Sequence, residues 1–212
     1  MILQTAQKRK SEETVRKIYT ATKTILQQYG NDVLTIRNIC DVAGVSTGSF
    51  YHHFHNKEEL MRRYIIDAYQ QYREETPLGY PQDITPILLD ELTHCYYRFT
   101  HFCIHMGKPF VRQNIIGSNL DILRDPSFDA DLLPVLERIQ AENCLQKMVR
   151  IPTLLDDLSI IETGLLVRWC YNDDTFDLIK TAVRLLWIHL SSLVTDEYVQ
   201  KHKDRFSGRF SG

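Results

Sequence analysis

No stretch of eighteen or more apolar residues occurs in the 212-residue chain, and its opening MILQTAQKRK lacks the apolar run of a secretory leader. Neither membrane insertion nor export is expected, and the protein reads as cytoplasmic. The five cysteines, at positions 40, 95, 103, 144 and 170, are odd in number and never spaced as CxxC, which predicts reduced, buried thiols rather than a disulfide or zinc framework. Alternation of period two between turn residues is missing, and with it the signal for strands. A Gly-rich phosphate loop and an H-E-x-x-H metal helix are absent too. The acidic pairs Glu12-Glu13, Glu58-Glu59, Asp156-Asp157 and Asp173-Asp174 fall near predicted helix starts, where a carboxylate meets the positive end of the helix dipole, so they need no catalytic role. The expectation is a chain that is not an enzyme and holds no cofactor and no metal.

What is present is an ordinary globular composition, 43% hydrophobic and 25% charged, enough for one large or two small domains. The net charge of −2 conceals an asymmetry: residues 1–63 carry ten Lys+Arg against six Asp+Glu, or +4, and the remainder 15 against 21, or −6. A polyanion is therefore expected to meet the N-terminal quarter. Helical periodicity runs throughout. Val15, Ile18, Tyr19, Thr22, Ile25, Leu26 and Tyr29 form one stripe of a helix starting near Ser11 and closed by Gly30. Thr35 is placed to cap a short second helix with Ile36, Ile39, Cys40 and Ala43 on one face, and Gly44 to end it. Ser46 caps a third, whose Phe50 and Phe54 point inward, and Asn56 a fourth that runs to about Thr76. Pro77, Gly79 and Pro81 interrupt the pattern, after which Thr85-Pro86 opens a helix through about Met106. Further helices are predicted from about Pro109 to Asn119, Asp131 to Arg150, Asp156 to Tyr171 and Thr175 to Val194, with a loop RDPSFDAD and a break at Pro152. The FSGRFSG ending reads as a disordered tail. An all-α fold of about nine helices results, divided as 1–60, 61–206 and 207–212.

Thr35 to Leu60 reads as two short helices joined by an Ala-Gly-Val turn, a helix-turn-helix. With Phe50 and Phe54 inward, the wheel turns Gly48 and His52 outward, flanked by Thr47, Ser49 and Tyr51. That small, polar face suits a major groove about 12 Å wide. The string AGVSTGSFYHHFHNKEEL, from Ala43 to Leu60, resembles the signature of TetR-type (tetracycline-repressor-like) transcription regulators, and the resemblance covers roughly Glu13 to Leu60. Beyond it, only the length and the all-helical layout are similar. The resemblance implies a sequence-specific homodimer that binds a palindromic double-stranded DNA operator through the third helix, most simply as a repressor released by a small-molecule effector in the C-terminal ligand-binding and dimerisation domain. By position, it turns Thr47, Gly48, Ser49 and His52 toward bases and sets Thr35, Arg37, Tyr51, His53 and Lys57 on phosphates. Lys57 and Thr35 also lie at helix starts, where free amides and the dipole favour an anion. Thr47 stands where the family often has Lys, and Lys8, Arg9 and Lys10 are expected to compensate as a flexible arm along the groove.

In the second part, Tyr96, Phe99, Phe102, Met106 and Phe110, together with Trp169, make an aromatic-rich set that would line a pocket for a flat or greasy ligand or serve equally as core. The last two long helices carry wide apolar stripes. Their counterparts in the family form a four-helix dimer bundle, which implies Leu158, Ile161, Leu165, Ala182, Leu186, Leu190 and Leu193 at the interface, with Gly164 and Ser191 permitting close approach. His52, His53 and His55 point in different helical directions and cannot converge on a metal. His94, His101 and His105 share one face, either as polar groups or as a metal or pH-sensing pocket. Two rival functions stand beside the first: a DNA-bound co-regulator or activator whose bundle binds a protein, and an enzyme or metal sensor built on that histidine face.

Overall fold

The computed structural model describes residues 2–76, 87–117, 130–172 and 175–206. The Pro77, Gly79 and Pro81 interruption, the Thr85-Pro86 start, the expected helix end at Asn119, most of the RDPSFDAD loop and the tail 207–212 lie outside the described residues. Within them the chain is all-α, with eleven α-helices: α1 (Ile2–Tyr29), α2 (Ile36–Ala43), α3 (Thr47–His53), α4 (Lys57–Glu75), α5 (Leu88–Met106), α6 (Lys108–Val111), α7 (Leu132–Ala141), α8 (Ile151–Tyr171), α9 (Leu178–Leu193), α10 (Asp196–Lys201) and α11 (Lys203–Phe206). A π-helical turn, Arg112–Ile116, continues α6. Counting those two as one segment, nine helical segments have seven residues or more, in keeping with the expected number. Packing divides the chain into two compact units, Met1–Ala68 and Tyr69–Gly212, and the division falls inside α4.

The first unit closes around a small apolar core. Ile18, Ala21 and Ile25 of α1, Ile39 of α2, Phe50 of α3, Phe54, and Leu60, Met61 and Ile65 of α4 are all buried, each large side chain contributing about 1.5–3 kcal/mol by leaving water. Thr22 shares this interior because its hydroxyl donates to the Ile18 carbonyl at 2.8 Å. α1 begins at Ile2 rather than near Ser11. Nothing in residues 2–10 breaks a helix, so Ser11 falls inside it instead of capping it.

In the second unit α5 is central and packs on α9, α7 and α6. Leu89, Leu92 and Tyr96 meet Leu136 and Ile139 of α7, Leu154 and Leu158 of α8, and Trp187 and Leu190 of α9 in one cluster. Three boundaries differ from the sequence reading for local reasons. The helix expected to reach Arg150 stops at Ala141, because Asn143 takes φ 52° and the chain then pairs with the end of α9 through an isolated bridge, Leu145 to Val194, and the Gln146 amide on the Leu193 carbonyl at 2.9 Å. Pro152 opens α8 instead of breaking the chain, since the first helical turn needs no proline amide. α9 starts at Leu178 rather than Thr175, where the Asp177 carboxylate accepts from the Lys180 amide at 2.9 Å. All five cysteines are free and buried.

Candidate nucleic-acid interface

Capping contacts build the α2–α3 junction. Thr35 Oγ1 accepts from the Asn38 amide at 3.1 Å and opens α2, while Asn38 Nδ2 donates to the Val33 carbonyl at 2.7 Å. At the far end Gly44 adopts φ 63° and ψ 37°, a left-handed geometry that side chains strain, and the Val45 amide closes on the Cys40 carbonyl at 3.1 Å. Ser46 Oγ accepts from the Ser49 amide at 3.0 Å and starts α3 directly after the turn. Gly44 to Gly48 also spells G-x-S-x-G, but here the string joins two helices and its serine hydroxyl caps the second, so it reads as a junction and not as a nucleophile elbow.

Phe50 and Phe54, fully buried with ring centroids 5.5 Å apart, fix the rotation of α3, and the Tyr19 ring lies 6.0 Å from Phe54 with the Arg63 guanidinium 5.4 Å over it. The other side of α3 brings Thr47, Gly48, Tyr51 and His52 to solvent, with Ser49 and His53 partly covered. Tyr51 stands edge-on to Phe50 at 5.5 Å and stays half exposed. A methyl group on Gly48 would touch only Ser46 Oγ, at 3.8 Å, so no neighbour in the chain requires glycine there. Partial burial, and then the nearby His52 and Arg63, hold the His53 imidazole below its ordinary pKa.

α4 opens on a reciprocal cap. Asn56 Oδ1 accepts from the Glu59 amide at 2.7 Å, and Glu59 Oε2 accepts from the His55 amide at 2.7 Å. These His55 contacts, with Arg63 at 2.5 Å, lower the Glu59 pKa. Sequence reasoning found Asn56 as the cap and placed Glu59 near the helix start, but missed its bond to the His55 amide, whose signal was the spacing of a capping box. Lys57 sits half-buried in that first turn. Arg37 is exposed and only loosely engaged, 4.0 Å from Asp41, and Thr35 is exposed at the start of α2.

The aromatic set of the second unit lies on α5, α6 and α8. Phe99 and Phe102 pack on Tyr69 at 5.3 Å each, Lys108 lies over Trp169 at 5.8 Å, and Met106 and Phe110 are partly covered. Of the set, Tyr96 alone borders the narrow seam between α5, α8 and α9, lined also by Thr100, Glu162, Leu165 and Ala182. An open groove of about 420 Å³ lies elsewhere, between α5, α7, α10 and α11. Sequence reasoning also missed a partly buried ionic cluster in which Arg73 and Arg98 both engage Asp131; its partners are far apart in the chain, so no local pattern announces it. Leu158, Leu165, Ala182, Leu186 and Leu190 are buried within the protomer, and Ile161 and Leu193 are half-buried. The apolar residues that α8 and α9 leave exposed are Ile160, Val167, Tyr171 and Ile188. His94 and His101 both stack on Tyr97, at 5.5 and 5.1 Å, and His105 on Tyr72 at 5.7 Å. No group of three or more metal-ligating side chains occurs among the described residues.

Residues 18–64 match the family model of bacterial regulatory proteins of the tetR family. The chain is 40% identical over 60 residues to the HTH-type transcriptional repressor KstR2 of Rhodococcus jostii, a match that covers 26% of this chain and 29% of that protein. It is 25% identical over 194 residues to the probable acrEF/envCD operon repressor of Escherichia coli, covering 82% of this chain and 84% of the relative. Its fold is similar to that of RolR in complex with resorcinol, with a TM-score of 0.57 at 19% identity over 84% of this chain and 89% of the other.

Proposed function

Since this chain is a TetR-family transcriptional regulator, we propose that it acts as a homodimeric repressor that binds a palindromic operator through α3 and is released by a small molecule bound in the second unit. The observation that carries the DNA reading is the outward face of α3. Thr47, Gly48 and His52 are exposed there with Tyr51 half exposed beside them, while Phe50 and Phe54 hold the helix from behind. Thr47, Gly48, Ser49 and His52 are assigned to bases and Thr35, Arg37, Tyr51, His53 and Lys57 to phosphates, which fix register without reading sequence. Selecting bound duplexes from a random library at near-physiological salt tests this. The expected result is an enriched palindrome that a Tyr51→Ala, Lys57→Ala double variant loses. Without enrichment the reading falls, and a bundle that recruits a protein partner takes its place.

The dimer reading is supported by α8, which is apolar on two sides. Gly164 lies in the middle of its exposed side, where a methyl group would meet nothing within 4 Å. An exposed helical glycine costs about 1 kcal/mol relative to alanine, a cost without return inside the protomer but sensible where a second helix comes close. Ile160, Val167 and Tyr171 share that side at helical spacing, and α9 exposes Ile188. An Ile160→Arg, Ile188→Arg double variant is expected to sediment as a monomer and to lose operator affinity. A variant that stays dimeric would move the seam elsewhere. Release by an effector is supported by the fold shared with RolR, which was solved with a small ligand, and by α4, which contributes Lys57 to the first unit and Tyr69 and Arg73 to the second.

A further inference from the structure

We infer that the N-terminal extension of α1 is a second DNA-contacting element, in which Lys8, Arg9 and Lys10 hold phosphates flanking the segment that α3 reads. The inference rests on the DNA-binding function proposed above. The first eleven residues contain three consecutive basic side chains and no acidic one. α1 is continuous from Ile2, sixteen residues before the family match begins at Ile18, and Ile18 is also its first buried residue among those described. Gln7, Lys8, Arg9 and Lys10 are all exposed. Four successive helical positions cover a full turn, so among the described residues no other part of the chain packs on the helix there.

By the rules of helix electrostatics this arrangement is unfavourable. Lys8, Arg9 and Lys10 lie past the first-turn amides of α1, so the cost there is the mutual repulsion of three adjacent like charges. Of the two nearest acids, Glu13 pairs toward the C-terminus with Lys17 at 3.1 Å, which leaves Glu12, four residues from Lys8, against three cations. A helix that lacks packing and repels itself becomes favourable when an anion lies along it. Across residues 2–17 the apolar side chains are Ile2, Leu3, Ala6 and Val15, too few and too far apart to give the stretch the continuous apolar face that enters a lipid surface. A polyanion with regularly spaced charge fits instead. α1 packs against α2 and α3 in one unit, and its Tyr19 ring is 6.0 Å from Phe54, so the extension keeps a fixed place relative to α3. At 1.5 Å per residue the triplet stands about 14–17 Å along the axis from Tyr19, a distance of roughly four or five base-pair steps at 3.4 Å each.

The test compares the full-length protein with a Lys8→Ala, Arg9→Ala, Lys10→Ala variant on the selected operator, extended by random flanks, across a salt series. Alanine keeps the helix, and circular dichroism verifies that. The slope of log affinity against log salt is expected to lose about one for each phosphate contact, hence about three per protomer. The hydroxyl-radical footprint should shorten at both ends while the selected sequence stays the same. A variant with unchanged slope and footprint overturns the inference and leaves the function proposed above standing. A parent protein that binds no duplex overturns both. A Lys8→Gln, Arg9→Gln, Lys10→Gln variant that repeats the slope change assigns it to charge.

Discussion

Replacing Gly48 with leucine is expected to stabilise the free protein and to destroy its binding to DNA. The backbone at Gly48 is ordinary helix, and the space beyond its Cα is open apart from Ser46 Oγ. Substitution relieves the entropic penalty of a helical glycine by up to about 1 kcal/mol, which raises the melting temperature of the first unit, Met1–Ala68, by up to roughly 4–8 °C. In the complex the same leucine holds α3 away from the groove floor. Each well-formed contact to a base is worth about 1–3 kcal/mol, so losing two of them costs on the order of 100-fold in affinity. The opposite signs distinguish this variant from a folding defect, which would lower both. Thermal melts and operator titrations read the two quantities, and a leucine variant that binds like its parent would remove Gly48 from the interface.

Phe54→Ala acts on the fold itself. Phe54 has no exposed surface and stacks with Phe50, Tyr19 and Arg63. Truncating a buried phenylalanine costs about 3–5 kcal/mol. At about 0.05–0.15 kcal/mol per residue, a unit ending at Ala68 has about 3–10 kcal/mol of its own stability. The first unit should therefore be largely unfolded or barely stable, with operator binding gone and far-UV helicity reduced. Both tryptophans, Trp169 and Trp187, belong to the second unit. Their fluorescence should stay native through this change. An emission shift that accompanies the loss of helicity would show that the two units unfold together.

The helix-turn-helix was legible because its determinants are local. Gly30 and Gly44 end helices, Thr35, Ser46 and Asn56 start them, and a Phe-x-x-x-Phe spacing orients the one between. The second unit was less so, for a physical reason visible in α8. When a helix is apolar on two sides, periodicity does not say which side meets its own chain, and the stripe through Leu158 and Leu165 belongs to the interior while Ile160 and Val167 face out. The early end of α7 depends on a bridge to Val194, some fifty residues away. Arg98 is buried because the fold brings the Asp131 carboxylate to it, a carboxylate that also holds Arg73. The extra turns of α1 had no start signal at all; the absence of a breaker was the only clue.

The buried cysteines have a practical consequence. Burial raises the pKa of every one of these thiols, that of Cys95 to about 11, so in the native state few thiolates form and little reagent reaches them. Cys40 lies in the first unit and the other four in the second. Alkylation of a given cysteine thus records the moment its own surroundings opened, and peptide mass reads which unit breathed first, without a single engineered label.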